Sequence, residues 1–514
     1  MRTAVCSLLL VLSTQSALAQ PRERKLSLET LRDKIRGGWA GQMIGVSYGA
    51  PTEFRWREQI IPEDMLPVWK PEMVSNSINQ DDLYVEMTLA RVLDDKGLDA
   101  TTEDFGAMFR ESKYALWHAN LAARRALRRG VPASLSGTPR HNAHANDIDF
   151  QIEADFIGLM TPGLPRLASD LGVRAGRVMN SGDGILGGIF VSCMYAEAFF
   201  ENDPRRVVEA GLACLPARSP YARLIADTLA WHQKYPEDWT KTWAEIEKKW
   251  NRREPCPSGA LKPFNIDAKI NGAYIALGLL YGGGDMTRTI RISTQAGQDS
   301  DCNPSNAAGI LGVMMGYEKI PDEWKSGIPS IADKKFAYTD FNFHEIVEST
   351  YQRALKAVAR EGGKVTDTEI RAPLQKPKPV NIALWDEYGS PVERIAHTDG
   401  RWRFAGGWRE DEKLRSRVAD EKGATAGIEF EGTGFIVVGP YLPDGGFAEV
   451  WVDGKRANNV DVYSDEKSIK GEESVYHQFG LKAGRHRVEL RVTGVRHTES
   501  SGARVGVQEL IVFR

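Results

Sequence analysis

Apolar residues recur every three or four positions through most of residues 26–360, which is the period of amphipathic helices. Glycine, proline, aspartate and asparagine interrupt this pattern at intervals typical of loops. The spacing predicts helices over residues 28–48, 82–93, 105–129, 151–160, 186–200, 207–215, 221–234, 239–250, 270–281, 286–295 and 305–317. We therefore predict an all-α domain over residues 26–364.

The first predicted helix contains four glycines, which are Gly38, Gly41, Gly45 and Gly49. Each glycine destabilises a helix by about 1 kcal/mol relative to alanine. Four of them in one helix indicate that a second helix packs closely against it. Arg36 and Gln42 in the same segment argue against a membrane-embedded helix pair.

The pattern changes after Pro373, Pro377 and Pro379, where short segments of alternating apolar and polar residues begin. Strands are predicted over residues 427–430, 434–438, 447–452 and 485–492, and Asp453-Gly454 predicts a hairpin turn. We predict a linker over residues 365–379 and an all-β sandwich over residues 380–514. The chain is therefore expected to be multidomain and separable at the linker.

The N-terminus has the pattern of an export signal. Arg2 precedes an apolar stretch over residues 4–12, and Ala17 and Ala19 fit the small-residue cleavage rule. We predict a signal peptide over residues 1–19 and a secreted or periplasmic protein. No other long uncharged apolar run follows, so no membrane insertion is expected.

Composition adds few constraints. The 514 residues are 42% hydrophobic with a formal net charge of −3, which gives no reason to expect a nucleic-acid partner. Arg124, Arg125, Arg128 and Arg129 are spaced for one helix face, and we interpret them as a solvated surface. The sequence does not determine the oligomeric state.

Four cysteines follow the predicted signal peptide, namely Cys193, Cys214, Cys256 and Cys302. The absence of C-x-x-C spacing argues against a zinc site. Export would permit a disulfide. Buried thiols and one bridge both remain open.

Short acidic motifs are the strongest chemical signal. Asp81 and Asp82 open a predicted helix, and Asp299 and Asp301 stand between two helices. Hard divalent cations need several oxygen ligands, which such motifs can supply. Glu53 follows a glycine-rich helix and a proline, a position from which it could enter a cleft. Helix capping is the alternative role for each aspartate pair, and an ordinary loop acid is the alternative for Glu53.

These motifs occur together in an order that resembles the ADP-ribosylglycohydrolase family, specifically an exported bacterial branch. The likeness lies in residues 41–54, 80–83, 180–184, 297–302 and 306–312. It implies an α-helical domain that holds two Mg²⁺ ions, with Ca²⁺ or Mn²⁺ as alternatives. It also implies cleavage of a bond between ribose C1 and nitrogen or oxygen.

The resemblance assigns roles to particular residues. It implies that Asp81, Asp82, Asp299 and Asp301 are metal ligands and that Glu53 acts on the substrate or its water. Asn180, Gly182 and Asp183 match a segment beside the substrate. Gln80 and Cys302 stand where the family has threonine ligands, and Cys302 is too soft a ligand for magnesium.

Three further groups of residues carry expectations. The acidic stretch over residues 146–155 is expected to be mostly solvated or helix-capping, with at least one acid facing the cleft. His141 and His144 are expected to be structural. Sugar-stacking candidates in the β domain are Trp402, Trp408, Trp451 and Tyr463, although Trp451 has the spacing of a core residue.

The sequence therefore predicts an exported metal-dependent glycohydrolase acting at C1 of a ribosyl or furanosyl-like sugar in an extracellular glycoside. Two alternatives stay open. One is a hydrolase of ADP-ribosylated acceptors, and the other is a non-catalytic carbohydrate-binding protein.

Overall fold

The computed structural model describes residues 23–251 and 254–514, so the predicted signal peptide lies outside the described residues. The α-helices are α1 Leu28–Gly49, α2 Asp81–Lys96, α3 Thr102–Glu111, α4 His118–Arg128, α5 Ala133–Ser136, α6 Asp149–Ile152, α7 Asp155–Leu159, α8 Pro165–Gly176, α9 Asp183–Ala198, α10 Pro204–Ala213, α11 Pro220–Lys234, α12 Trp239–Trp250, α13 Ala268–Gly282, α14 Met286–Gln295, α15 Cys302–Met315, α16 Asp322–Lys325 and α17 Phe343–Arg360. Short 3-10 helices cover Ala50–Thr52, Glu63–Met65, Pro71–Asn79, Tyr317–Lys319, Ile328–Ser330 and Trp385–Tyr388.

The strands are β1 Glu23–Ser27, β2 Lys364–Val365, β3 Glu369–Pro373, β4 Pro391–Ala396, β5 Arg403–Ala405, β6 Arg409–Asp411, β7 Ser416–Ala419, β8 Thr425–Gly432, β9 Gly434–Tyr441, β10 Gly446–Val452, β11 Lys455–Asp461, β12 Lys470–Gln478, β13 Gly484–Arg496, β14 Val505–Val507 and β15 Glu509–Phe513. Helices thus fill the N-terminal part and antiparallel strands the C-terminal part. The predicted fold class, all-α followed by all-β, is confirmed.

Most predicted helices are present, and the differences are local. The single helix predicted over residues 105–129 is two helices, α3 and α4, separated by an extended turn. The helix predicted over residues 151–160 is likewise broken into α6 and α7. Helices α8 and α17 and the one-turn helices α5 and α16 were not predicted.

The predicted linker is in part a structural element of the helical domain. Strand β3 lies between β1 and β2 in a small antiparallel sheet. Glu23 pairs with Pro373 and Ser27 pairs with Glu369. Residues 23–27 are therefore held by residues that the sequence pattern assigned to the linker.

The C-terminal domain contains two larger antiparallel sheets, with strand orders β11-β10-β13-β8-β5 and β12-β9-β15-β4. Residues of both sheets share one buried apolar cluster, and the rings of Phe430 on β8 and Phe435 on β9 lie 5.1 Å apart. The predicted Asp453-Gly454 turn joins β10 to β11, and both residues have positive φ.

Strand β9 is buried along its whole length because it is covered on both faces. Ile436 and Val438 belong to a second apolar cluster that includes Ala143 and Ala260 of the helical domain. The four-stranded sheet therefore packs on the other sheet with one face and on the helical domain with the other.

The arginines of α4 form part of this domain interface, so the expectation of a solvated surface is wrong for Arg124 and Arg125. Both are buried. Arg124 Nη2 pairs with Glu466 Oε1 at 2.5 Å, and Arg125 donates to the Tyr463 and Asp461 carbonyls. The Arg125 guanidinium also lies over the Tyr441 ring at 3.6 Å.

The four cysteines of the described residues form one disulfide and two free thiols. Cys193 and Cys214 are bonded, whereas Cys256 and Cys302 are free and buried. Over the described residues, no helix has both the length and the apolar character needed to cross a bilayer.

Candidate active site

Three acidic segments meet at one cavity in the helical domain. The 3-10 turn after α1 delivers Glu53, α2 begins at Asp81, and Asp299 to Asp301 lead into α15. The cavity has a volume of about 360 Å³. Its walls are formed by Glu53, Phe54, Asn79, Gln80, Asp81, Tyr84, Trp117, His118, Asn120, Ile148, Asp149, Ile152, Phe264, Ile266, Asp299 and Cys302.

Glycines bring two of these segments together. A Cβ on Gly41, Gly45 or Gly49 would overlap the backbone of Ala308, Pro304 or Ser300 respectively. The backbone of α1 therefore lies directly against α15 and the loop that precedes it, as the glycine pattern predicted. Gly38 differs, because its neighbours are the side chains of Leu159 and Val313.

Hydrogen bonds continue this contact beyond the end of α1. Thr52 Oγ1 lies 2.8 Å from Ser300 Oγ, and the Phe54 amide donates to the Gln298 carbonyl at 2.9 Å. Gln298 has a positive φ of 55°. The turn that carries Glu53 and the loop that carries Asp299 and Asp301 are thus fixed to each other.

The carboxylates are crowded and have no basic partner. Within residues 23–251 and 254–514, no basic side chain forms an ion pair with Glu53, Asp81, Asp82, Asp299 or Asp301. Burial, together with the charges of Glu53 and Asp82, raises the pKa of Asp299 to about 8. Burial likewise raises the pKa values of Asp81, Asp82 and Asp301. Such a group needs a cation to keep all its members ionised.

Glu53 lies at the cavity mouth, where its side chain reaches solvent. The surrounding protein still removes much of its hydration, and this raises the pKa of Glu53 to about 8. The nearby charges of Asp301 and Asp81 act in the same direction. The pKa of Glu53 is thereby tied to the charge of the aspartate cluster.

The aspartates fit a hard divalent cation. Asp82 is fully buried, yet its Oδ2 has no hydrogen-bond partner. Carboxylate oxygens from α2 and from the loop before α15 converge, and oxygen is the ligand that magnesium prefers. Asp81, Asp82, Asp299 and Asp301 are therefore the residues that would hold the ion.

The two doubtful ligands differ. Cys302 Sγ donates to Asp82 Oδ1 at 3.0 Å, and burial raises the pKa of this thiol. Although its sulfur lies near Asp299 and Asp301, Cys302 therefore acts as a hydrogen-bond donor to the cluster. Gln80 lines the cavity and can offer a carbonyl oxygen.

A second wall of the cavity was not predicted from the sequence. Trp117 ends the turn that separates α3 from α4 and His118 begins α4, where the helical periodicity had predicted a continuous helix. The N-cap residue of α4, Trp117, makes no side-chain capping hydrogen bond, and a residue distant in the sequence caps the helix instead. Asp149 accepts hydrogen bonds from the Ala119 and Asn120 amides at 3.2 and 2.9 Å.

The acids in the stretch over residues 146–155 are buried, so the expectation of solvated side chains is wrong, whereas the expected helix-capping role is present at Asp149, which caps α4. Asp149 faces the cavity, as expected of at least one of them. Asn120 donates to Glu153, and Asn306 donates to Asp155 at 2.6 Å. The stretch forms the polar interior behind the cavity.

Asn180, Gly182 and Asp183 do not line the cavity. The Asn180 amide donates to the Ala145 and Asp147 carbonyls at 3.0 and 2.8 Å and accepts from the Phe150 amide. Its side chain holds the loop that presents Asp149. The structure thus gives Asn180 a positioning role and brings none of the three residues to the cavity surface.

The predicted sugar-stacking aromatics are not open platforms. Trp402 and Tyr463 are buried, and Trp408 packs against Phe404. Trp451 has the sequence spacing of a core residue and is half-buried. The Arg491 guanidinium lies over its ring at 4.1 Å. Two of the four are therefore closed to sugar stacking, and the other two are partly covered.

Comparison with known proteins agrees with this geometry. A family model described as ADP-ribosylglycohydrolase matches residues 27–361. No curated protein matches the chain. A solved "ADP-ribosylglycohydrolase-related protein complex" is similar at 15% identity and a TM-score of 0.38, over 63% of this chain and 99% of the other.

Two other solved structures show weaker similarity. A two-domain esterase active on acetylated mannans, co-crystallised with mannopentaose, has 18% identity and a TM-score of 0.21, over 33% of this chain and 46% of its own. A Paenibacillus xanthan lyase has 11% identity and a TM-score of 0.18, over 29% of this chain and 15% of the lyase chain. At these scores the structural likenesses carry no functional information.

Proposed function

The chain belongs to the ADP-ribosylglycohydrolase family, and on this premise we propose that it hydrolyses a glycosidic bond at C1 of a ribosyl or furanosyl-like sugar. Family membership supports a glycohydrolase-type function. The observation that carries the finer proposal is the convergence of Glu53, Asp81 and Asp299 on one cavity, with Asp82 and Asp301 close enough behind its wall to interact electrostatically with them. Roles for the individual residues are part of the proposal.

In this proposal the four aspartates hold two divalent cations, with magnesium as the first candidate. Bound cations supply positive charge that orients sugar hydroxyls and acidifies water. The same charge favours the ionised form of Glu53, whose pKa is otherwise raised to about 8. Ionised Glu53 is then able to act as a base near neutral pH.

Glu53 carries the proton transfer. The C1 bond to the leaving group breaks through a transition state with positive charge on the sugar. As water oxygen bonds to C1, its proton passes to Glu53, which can return the proton to the departing nitrogen or oxygen. The exposed position of Glu53 at the cavity mouth suits contact with both water and substrate.

The cavity walls favour a neutral sugar over a diphosphate. Among the described residues that form them there is no lysine or arginine. Phe54, Tyr84, Trp117 and Phe264 instead offer ring faces and edges. A neutral furanoside needs no cationic side chain, whereas a diphosphate bound by the protein alone would.

Export belongs to the proposal as well. The sequence pattern of residues 1–19 supports it, and so does the Cys193–Cys214 disulfide, because such bonds persist in oxidising compartments. An exported enzyme with a β domain suits an extracellular glycoside. The β domain is proposed to position the cleft walls, since its aromatic candidates are mostly covered.

A substrate panel tests the proposal. The purified full chain is assayed with Mg²⁺ or Mn²⁺ on aryl furanosides, nucleosides and ADP-ribosyl-arginine or -serine. We expect turnover of neutral furanosides that EDTA abolishes and added metal restores. A higher kcat/KM on the ADP-ribosyl compounds would instead assign an ADP-ribosyl-acceptor hydrolase. Saturable sugar binding without turnover and without stoichiometric metal would assign a non-catalytic binding protein.

A further inference from the structure

A second group of metal-ligating side chains lies beside the cavity and is separate from the aspartate cluster. It consists of His118, His144, Asp147, Glu254 and Cys256, which we call the Asp147 cluster. Two overlapping triads, His118-His144-Asp147 and Asp147-Glu254-Cys256, each have ligand atoms within 4.8 Å of one another. Asp147 is the residue that both triads share.

The distances show how closely these groups face each other. His144 Nδ1 lies 2.7 Å from Asp147 Oδ2, and His118 Nδ1 lies 3.5 Å from the same oxygen. On the other side, Cys256 Sγ lies 2.6 Å from Glu254 Oε1. Nitrogen, sulfur and oxygen donors therefore surround one carboxylate.

Unpartnered atoms point to a missing ligand. Asp147 is fully buried, yet its Oδ1 has no hydrogen-bond partner among residues 23–251 and 254–514. His118 Nδ1 is also buried without one. Buried polar atoms are normally paired, so an unpartnered carboxylate oxygen in such a donor group indicates that a cation belongs there.

The fold fixes the two loops that carry the cluster. The Ile148 amide donates to the Ile266 carbonyl at 3.0 Å, and the Ala268 amide donates to the Asn146 carbonyl at 2.9 Å. Asn142 Oδ1 accepts from the His144 amide. The donors are thus held in place by backbone bonds, which is what a preorganised metal site requires.

The charged groups around the Asp147 cluster are mostly acidic, which favours binding of a cation. The nearby Lys269 ammonium is paired with Asp267. His144 Nε2 lies 3.5 Å from Glu473 Oε2 of the β domain, so this imidazole faces a carboxylate on each side. Four carboxyl groups, those of Asp147, Glu254, Asp267 and Glu473, thus surround two basic groups, Lys269 and His144.

We propose that the Asp147 cluster binds one zinc-class transition-metal ion through Asp147, Glu254 and Cys256, with an imidazole of the His118-His144 pair as the nitrogen ligand. A thiolate and an imidazole select zinc-class metals over magnesium. The C-x-x-C rule missed this site because its ligands come from three separate segments, of which only one supplies a cysteine.

The ion has a structural role in this proposal. It fixes His118, Ile148 and Ile266, which form one wall of the catalytic cavity. The same loops touch the β domain, since Arg394 donates to the Ala260 and Pro257 carbonyls at 2.7 and 3.0 Å. A bound ion would therefore stiffen both the cavity wall and the domain interface.

Cobalt substitution tests the site on the full chain, with no dependence on catalytic activity. We expect chelated protein reconstituted with Co²⁺ to show d–d bands of tetrahedral type and a near-ultraviolet thiolate-to-metal band. Cys256→Ser should abolish the thiolate band. Cys302→Ser, which alters the other free buried thiol, should keep it, and so should Asp81→Asn in the aspartate cluster.

The outcomes separate this proposal from the function proposed above. A wild-type protein that binds Co²⁺ without a thiolate band overturns it, even if Cys256→Ser fails to fold. The proposal is also overturned if Cys302→Ser loses the thiolate band and Cys256→Ser keeps it, because the sulfur ligand would then belong to the aspartate cluster. As a second measurement, Zn²⁺ added to chelated wild-type protein should raise Tm, and an unchanged Tm counts against the site.

Discussion

At the scale of single residues, the candidate active site is defined by charges that lack counterions. Glu53 and four aspartates approach one another, and burial together with mutual repulsion raises their pKa values. Perturbed carboxylates in a cavity are a sign of function, because repulsion of this kind destabilises a protein unless a ligand relieves it. Two predictions follow from these residues.

Glu53→Gln should lower kcat by about 10²- to 10⁴-fold, the usual contribution of a general base. Metal affinity should fall only slightly, because Glu53 adds negative charge beside the cluster but is not one of the four proposed metal ligands. Steady-state kinetics and titration calorimetry with Mg²⁺ or Mn²⁺ measure the two effects. The matched control is Glu72→Gln, an exposed glutamate outside the cavity, which should keep full activity. Full activity in Glu53→Gln would remove Glu53 from the mechanism.

The metal-free protein should lose stability as pH rises from about 4 to about 8. The Asp299 carboxyl ionises near 3.8 without its neighbours, but its pKa in the folded protein is raised to about 8. Over this window the unfolded chain releases a proton that the folded chain retains, so the free energy of unfolding falls. Urea unfolding in EDTA near pH 5 and near pH 8 measures the difference.

Asp299→Asn provides the control for that pH dependence. The metal-free variant should be more stable than the wild type near pH 8, since one buried charge is gone, and it should bind Mg²⁺ more weakly. Saturating Mg²⁺ should flatten the wild-type pH dependence. A metal-free wild type that becomes more stable toward pH 8 would contradict the assignment.

At the scale of elements, close helix packing decides where the acids lie. The glycines of α1 allow its backbone to touch α15, and the loop before α15 thereby meets the turn that carries Glu53. The position of the site therefore depends on the glycines of α1, which have no side chain that could take part in binding or catalysis.

Gly45→Ala should lower the free energy of unfolding by about 1–3 kcal/mol, the usual cost of overpacking. Helix propensity alone favours alanine by about 1 kcal/mol, but the new Cβ would overlap the Pro304 carbonyl. Denaturant unfolding measures the change. Gly400→Ala is the control, because no atom lies within 4 Å of its added Cβ and its φ is not left-handed. Equal stability of the two variants would mean that α1 and α15 can move apart without cost.

The turn between α3 and α4 is an element that the sequence pattern did not predict. Helical spacing continues through residues 105–129, but the chain breaks there and places Trp117 and His118 in the cavity wall. The cap of α4 comes from Asp149, about thirty residues away in the chain. Local signals of helix initiation could not reveal it.

At the scale of the whole molecule, the two domains share one interface and the loops of the site. Arg124 and Arg125 are buried against the β domain, and strand β9 packs on Ala143 and Ala260. Strand β3, within the predicted linker, pairs with β1. These contacts argue against the expected separability at the linker.

A chain that ends at Gly363 should therefore have a lower Tm than the full chain or should aggregate. Truncation exposes the apolar residues under β9 and leaves the two arginines without their partners. A second truncation at Lys376, which retains β3, should recover part of the loss through the β1–β3 pairing. Calorimetry measures both. A truncated helical domain with the Tm of the full chain would show that the interface contributes no stability.

The sequence by itself determined the features that local pattern encodes. Helical period, alternating strands and the Asp453-Gly454 turn were sufficient for the fold class, and glycine spacing predicted the contact of α1 with another helix. The order of the acidic motifs predicted the family. All of these follow from neighbouring residues, whose side chains share a face or a turn.

Only the tertiary structure decided which distant residues face one another. It placed Asn180 behind a loop, buried the arginines of α4 between domains and joined Asp147 to Glu254 and Cys256. The physical reason is that caps, ion pairs and donor groups here form between segments tens to hundreds of residues apart. Such contacts depend on helix packing, which no local period or spacing encodes.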